Sequence, residues 1–138
     1  MRGAPGAILV DSNVILDVVT KDAEWFEWSS TRLGEIADDH RLVINPIVYG
    51  EVSVGYETIE ALDLALPLDR FHREPLPWEA VFLAGKCFRM YRRSGGRKRS
   101  PLPDFYIGAH AAVRGMPLLT RDARRYRTYF PKLTVISP

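Results

Sequence analysis

The 138-residue sequence contains one cysteine, no long apolar run and very few acids in its second half, and each shortage bears on which classes of protein the chain can belong to. The single cysteine, Cys87, excludes an internal disulfide and fits a reducing compartment, and its apolar neighbours predict a place in the core. The first apolar run breaks at Asp11, too early for a signal-peptide core, and later runs are too short to span a membrane. We therefore expect a cytoplasmic protein with no membrane segment.

The scarcity of acids is confined to the C-terminal part of the chain. Residues 86–138 contain 13 basic against 2 acidic residues, a formal charge of +11, whereas residues 1–85 contain 6 against 15, a charge of −9. Such asymmetry predicts a polyanion-binding surface, unless the two parts simply pack together and neutralise each other. Clustering of the basic residues favours the first explanation: Arg92, Arg93, Arg97, Lys98, Arg99, Arg121, Arg124, Arg125 and Arg127.

Short apolar runs alternate with amphipathic segments along the chain, without an internal repeat or a linker. These runs predict buried strands of a parallel sheet at residues 7–10, 42–44, 117–119 and 133–136. Residues 68–76, which are more polar, are a candidate for a further strand. Helical spacing predicts helices that begin at residues 14 and 46 and others over 22–39, 58–66, 78–93, 104–114 and 122–130. This alternation predicts a single domain, residues 1–138, of the three-layer α/β class.

Four acidic side chains are expected to meet at one edge of that sheet. Asp11 ends the first strand, Asp122 follows the fourth strand by a short turn, and Asp104 opens a helix. Glu51 lies inside the apolar stripe of the helix after the second strand. In open parallel sheets ligands bind beyond the carboxyl ends of the strands, and gathered carboxylates need a cation to offset their repulsion. Oxygen ligands favour Mg²⁺ or Mn²⁺ over zinc.

A carboxylate-held metal beside a basic surface suits hydrolysis of phosphodiesters, because the metal activates water while arginines hold the phosphates. Each acid also has a simpler explanation. Asp104 and Asp122 could be helix N-caps, Asp11 could form a turn, and Glu51 could reach solvent or an arginine. It is the placement of all four at strand-to-helix junctions that favours a site. Asp17 falls off the apolar face of its helix and is predicted to be solvated.

Four segments together resemble the motifs of PIN domains, specifically the VapC toxins of bacterial VapBC toxin–antitoxin pairs: LVDSNVILD, NPIVYGEV, PDFYIGAHA and LLTRDARRY. The resemblance covers nearly the whole chain and implies a five-stranded parallel sheet flanked by helices. It also implies a Mg²⁺- or Mn²⁺-dependent endoribonuclease. Carried over by position, Asp11 and Asp104 would be the direct metal ligands, with Glu51 and Asp122 completing the catalytic acidic pocket largely through waters.

The resemblance extends to supporting residues and partners. Asn13 and Thr120 match the polar positions that brace the pocket. Members of the family are commonly homodimers, and a VapB antitoxin blocks the pocket, often with an arginine. The loop from Ser94 to Pro103 is richer in arginine than is usual for the family, which leaves the choice of RNA open. The residues expected to bind RNA are Arg97, Lys98, Arg99 and Arg121.

Two other families with an acid at the end of the first strand require acidic residues that this chain lacks. A haloacid-dehalogenase-type phosphatase needs a second acid two residues after the first, where this chain has Asn13. A response-regulator receiver needs an acidic pair before its first helix, and Asp11 has no acidic neighbour. A catalytically silent relative, acting as an RNA-binding or antitoxin-docking module, stays open as the alternative. Such a module should bind RNA equally well in the presence of a chelator.

Overall fold

A five-stranded, all-parallel sheet forms the centre of the structure. The computed structural model describes residues 6–100 and 102–138. Residues 1–5 of the predicted domain and residue 101 of the predicted basic loop lie outside the described residues. The strands are β1 (Ala7–Val10), β2 (Arg41–Ile44), β3 (Phe71–Arg73), β4 (Leu118–Leu119) and β5 (Val135–Ile136).

The helices flank this sheet and confirm the predicted three-layer α/β/α class. They are α1 (Ser12–Val19), α2 (Phe26–Asp39), α3 (Pro46–Ser53), α4 (Ile59–Ala65), α5 (Trp78–Arg93), α6 (Pro103–Arg114) and α7 (Arg124–Tyr129). Helix α1 packs on α2 and α3, whereas α6 packs on α3, α5 and α7. No helix in the described residues is long and apolar enough to cross a membrane.

The order of the strands positions the ends of β1 and β4 side by side. The sheet runs β3-β2-β1-β4-β5, so the chain leaves β1 in one direction for β2 and later returns on the other side with β4. Val10 pairs with Leu119, the last residue of β4. Asp11 and Thr120 therefore follow adjacent strands at the point where the strand order reverses, which is where open α/β sheets bind ligands.

Local sequence signals account for the ends of the helices that carry the acids. The side chain of Asn45 caps α3 by accepting a hydrogen bond from the backbone N–H of Val48 at 2.9 Å. Asn45 Nδ2 also lies 3.0 Å from His110 Nδ1, which links the start of α3 to α6. Gly115 ends α6 in the left-handed conformation, with φ +65°, as is common for a glycine at the end of a helix. Cys87 is buried, as predicted.

Two details differ from the sequence interpretation. Asp104 is not an N-cap, because Leu102 occupies that position and Asp104 lies in the first turn of α6. The prediction that Asp17 is solvated is wrong: it is 2% exposed and accepts hydrogen bonds from Ser29 at 2.7 Å and from Arg121 Nε at 2.9 Å. An ion pair from a distant loop compensates the buried charge, and helical periodicity contains no sign of such a contact.

Candidate active site

Asp11 lies at the centre of the site, one residue beyond β1 and only 3% exposed. Its Oδ2 accepts hydrogen bonds from the Tyr126 hydroxyl at 2.8 Å and the Thr120 hydroxyl at 2.9 Å. Longer contacts of 3.4 Å join Asn13 Nδ2 to the same oxygen and Ser12 Oγ to Oδ1. All four partners are neutral, and among the described residues no basic side chain forms an ion pair with Asp11.

This environment disfavours the ionised form of Asp11. Burial raises its pKa from 3.8 to about 6, and the negative charges of Asp104 and Glu51 add to the effect. Hydrogen bonds from Tyr126 and Thr120 act in the opposite direction and do not cancel it. At neutral pH the folded chain therefore holds a buried, ionised carboxylate without a cationic partner, which is unfavourable unless a cation binds nearby.

Glu51 reaches the site through a serine at the start of α1. The Ser12 hydroxyl donates a hydrogen bond to Glu51 Oε1 at 2.8 Å, and the same oxygen atom of Ser12 lies beside Asp11. Partial burial of Glu51 raises its pKa, and the nearby charge of Asp104 raises it further. Glu51, which belongs to the apolar stripe of α3, thus lies in the same crevice as Asp11, as predicted.

Asp104 enters from the first turn of α6 and contacts two side chains of α7. Its Oδ1 lies 3.4 Å from the Tyr126 hydroxyl, and its Oδ2 lies 3.2 Å from Arg125 Nη1. The ion pair with Arg125 is partly exposed, at 43% for the arginine and 34% for the aspartate. Arg125 therefore brings a positive charge to the mouth of the site and competes with any other cation for Asp104.

Tyr126 is the member of the site that sequence reasoning missed. Its i,i+3 spacing with Tyr129 is typical of a packing residue, and its ring is fully buried. The spacing does not reveal that the hydroxyl meets Asp11 and Asp104. Burial and the charge of Asp11 raise the pKa of Tyr126 well above its usual value, so the phenol remains a hydrogen-bond donor. Its position four residues after Asp122 was the available signal.

Asn13 and Thr120, which the resemblance matches to bracing positions, both contact Asp11. The Thr120 hydroxyl donates to Asp11 and accepts hydrogen bonds from Asn13 Nδ2 at 3.1 Å and from the backbone N–H of Asp122 at 3.2 Å. Asn13 Oδ1 accepts from the backbone N–H of Arg121 at 3.2 Å. These bonds join the beginning of α1 to the segment after β4.

The carboxylate of Asp122 is not brought into hydrogen-bond contact with the other acids. Its side chain is 59% exposed, and its Oδ1 accepts from the backbone N–H of Arg124 at 3.3 Å, at the beginning of α7. Arg121, predicted to contact RNA, uses Nε to bind Asp17 and lies over the ring of Trp25 at 5.7 Å. This anchoring holds the segment that carries Thr120 and Asp122.

The basic loop leaves α5 and returns to α6 close to Asp104. Arg92 Nη1 donates to the carbonyl of Lys98 at 2.8 Å, which closes the loop on itself. Gly96 lies against Tyr91 so closely that a Cβ atom there would come within 2.2 Å of the ring. The side chains of the predicted RNA-binding residues in this loop are exposed: Arg97, Lys98 and Arg99.

The acidic side chains that could bind a metal in this site offer only oxygen atoms as ligands. Within residues 6–100 and 102–138, no three His, Cys, Asp or Glu side chains form a ready-made metal site. The Tyr126 hydroxyl lies beside both Asp11 and Asp104, and the charge of Asp104 raises the pKa of Asp11. Carboxylates gathered in this way fit a hard divalent cation such as Mg²⁺ or Mn²⁺.

Comparison with known families gives a match over almost the whole chain. The profile of the PIN domain family matches residues 8–131. A search of curated protein sequences finds no significant relative.

Solved structures with a similar fold include components of toxin–antitoxin complexes. VapBC2 from Rickettsia felis, bound to a DNA fragment from its promoter, aligns with a TM-score of 0.73 at 18% identity and covers 96% of this chain and 98% of that chain. VapBC-1 from nontypeable Haemophilus influenzae aligns at 0.70 and 18%, covering 95% and 97%. Mycobacterium tuberculosis VapC20, a toxin that cleaves the sarcin–ricin loop, aligns at 0.63 and 12%, covering 88% and 94%.

Proposed function

The chain belongs to the PIN domain family, and from this we propose that it is a metal-dependent endoribonuclease of the VapC type, which hydrolyses RNA phosphodiester bonds. One observation carries the proposal. Asp11 is buried beside two other acids, and its hydrogen-bonding side chains within the described part of the chain are all neutral. A site of this kind gains stability from a bound cation, and the exposed surface around it is basic.

In this proposal Asp11 and Asp104 hold Mg²⁺ or Mn²⁺, while Glu51 and Asp122 complete the pocket through waters. A divalent ion in such a site lowers the pKa of an attacking water and neutralises charge on the phosphate. The chain's own residues supply the orientation. The Thr120 hydroxyl accepts a hydrogen bond from Asn13 and donates one to Asp11, which holds one oxygen of Asp11 in place.

The basic residues around the pocket would bind the RNA backbone. Arg97, Lys98 and Arg99 are exposed on the loop that precedes Asp104, and Arg125 lies at the mouth of the site. Arg121 would contact the RNA while its Nε stays bound to Asp17. The cleavage of an RNA loop by the structurally similar VapC20 supports RNA as the substrate class.

The proposal includes a VapB-type antitoxin, a homodimeric assembly and a cytoplasmic location for a single domain of residues 1–138. The VapBC complexes among the structural neighbours support the antitoxin.

Cleavage of a mixed cellular RNA pool tests the enzymatic part directly. The purified protein would be assayed with Mg²⁺, with Mn²⁺ and with chelator, beside Asp11→Asn and Asp104→Asn. Asp39→Asn is the matched control, because Asp39 is exposed at the end of α2. We expect cleavage that requires metal, disappears in both site variants and persists in the control.

Two results would overturn this function. Equal cleavage by the wild type and both site variants would point to a contaminating nuclease. Tight RNA binding that is the same in chelator, without any cleavage, would favour the catalytically silent binding module instead.

A further inference from the structure

The hydroxyl of Tyr126 lies between the two acids to which we assign the metal. It is 2.8 Å from Asp11 Oδ2 and 3.4 Å from Asp104 Oδ1. We infer that Tyr126 is a positioning residue, which orients the Asp11 carboxylate so that its other oxygen and Asp104 together receive the divalent cation. This inference rests on the proposed function, because it concerns the same site.

The hydrogen bonds of Asp11 divide unequally between its two oxygens. Oδ2 accepts short bonds from Tyr126 and Thr120 and a longer contact from Asn13. Among residues 6–100 and 102–138, Oδ1 has only the 3.4 Å contact with Ser12, whose single proton is already given to Glu51 at 2.8 Å. One oxygen is therefore saturated while the other retains its capacity to bind a cation. Rotation of the carboxylate would break both short bonds.

A phenol has one proton, so Tyr126 can donate to only one of its two neighbours. The shorter distance assigns that proton to Asp11. Asp104 then faces an oxygen lone pair at 3.4 Å and gains little from the contact. This asymmetry leaves Oδ1 of Asp104 available to a cation, since Arg125 pairs with Oδ2, while Asp11 is held still.

Packing, independently of the carboxylates, determines where the Tyr126 ring lies. The ring is buried between α7 and α6, where a Cβ atom at Gly108 would come within 3.0 Å of Tyr126 Cδ1 and 2.4 Å of the Phe130 ring. Helix α6 approaches α7 this closely because residue 108 has no side chain. Replacing Tyr126 by phenylalanine should therefore keep the ring in place and remove only the hydroxyl.

The test compares Tyr126→Phe with Tyr129→Phe. Tyr129 is on the same helix and its ring contacts that of Phe105 at 5.0 Å, but its hydroxyl makes no hydrogen bond within the part of the chain described. The readout is the Kd of Mn²⁺ alone, from the electron paramagnetic resonance signal of the free ion, with Tm of the metal-free proteins recorded beside it. RNA cleavage is measured over a range of Mn²⁺ concentrations.

We expect Tyr126→Phe to weaken Mn²⁺ binding by about 10- to 100-fold, as is usual when a group that orients a metal ligand is lost. The half-saturating Mn²⁺ concentration for cleavage should rise by the same factor, with much of kcat recovered at saturating metal. Tyr129→Phe should bind Mn²⁺ like the wild type.

Wild-type affinity in Tyr126→Phe, or an equal loss in Tyr129→Phe, would overturn the positioning role while leaving the nuclease intact. A wild-type protein that binds no Mn²⁺ would overturn the metal site and, with it, the role of Tyr126.

Discussion

Replacing Asp11 by asparagine should stabilise the metal-free protein while abolishing its activity. The pKa of Asp11 rises from 3.8 to about 6 in the folded chain, mainly because the carboxyl is buried. One pKa unit corresponds to about 1.4 kcal/mol, so ionised Asp11 costs the folded state about 3 kcal/mol at neutral pH. An amide oxygen still accepts hydrogen bonds from Tyr126 and Thr120, more weakly by ~1 kcal/mol. The net gain should be about 1–3 kcal/mol.

The sign of the pH dependence follows from the raised pKa. The folded state binds the proton of Asp11 more tightly than the unfolded state does. The contribution of Asp11 to stability is therefore fully present below the ordinary pKa of 3.8 and is lost as the pH rises through about 6. The advantage of Asp11→Asn should therefore be full above pH 6 and shrink as the pH falls toward 4. In thermal unfolding, each kcal/mol corresponds to roughly 3–5 °C in Tm for a chain of this size.

The measurement is thermal or urea unfolding in chelator between pH 4.5 and 8, with Asp17→Asn as the matched control. Asp17 is equally buried but is paired with Arg121 at 2.9 Å. Losing that pair should destabilise the protein by about 1–3 kcal/mol, because charged hydrogen bonds are lost while Arg121 stays partly exposed. Lower stability of Asp11→Asn than of the wild type at pH 7.5, or a difference that does not change with pH, would refute the reasoning.

Two further predictions concern the basic residues. Arg125→Ala should tighten Mn²⁺ binding about two- to fivefold, because Asp104 loses a competing cation 3.2 Å away, while RNA cleavage at saturating Mn²⁺ falls; calorimetry that gives weaker Mn²⁺ binding would contradict this. Replacing Arg97, Lys98 and Arg99 together by alanine should raise KM for RNA and lower the slope of log affinity against log salt by about 2. If filter binding at several salt concentrations gives an unchanged slope, the loop does not bind the RNA backbone.

The architecture was predictable because its signals are local. Apolar runs too short for helices predict four of the five strands, and helical spacing predicts one helix that begins at residue 46 and another that ends at residue 114, as the structure confirms. The junctions of parallel strands with helices follow from the same pattern. That is why Asp11, Glu51 and Asp104 could be expected in one crevice before any distance was known.

The details that depend on contacts between distant segments were not predictable from one sequence. Ion pairing of Asp17 with Arg121 joins residues 104 positions apart, and the bond from Tyr126 to Asp11 joins residues 115 apart. Neither the periodicity of α1 nor that of α7 contains this information. The exposed carboxylate of Asp122 depends on the angle at which the chain enters α7, where it accepts from the backbone of Arg124.

A crystal soaked with Mn²⁺ and measured for anomalous scattering tests the central claim most directly, namely that a cation offsets the buried charge of Asp11. The account predicts one strong anomalous peak within coordinating distance of the Asp11 and Asp104 carboxylates, with Arg125 displaced from Asp104. A peak elsewhere, or none at Mn²⁺ concentrations that support cleavage, would contradict it.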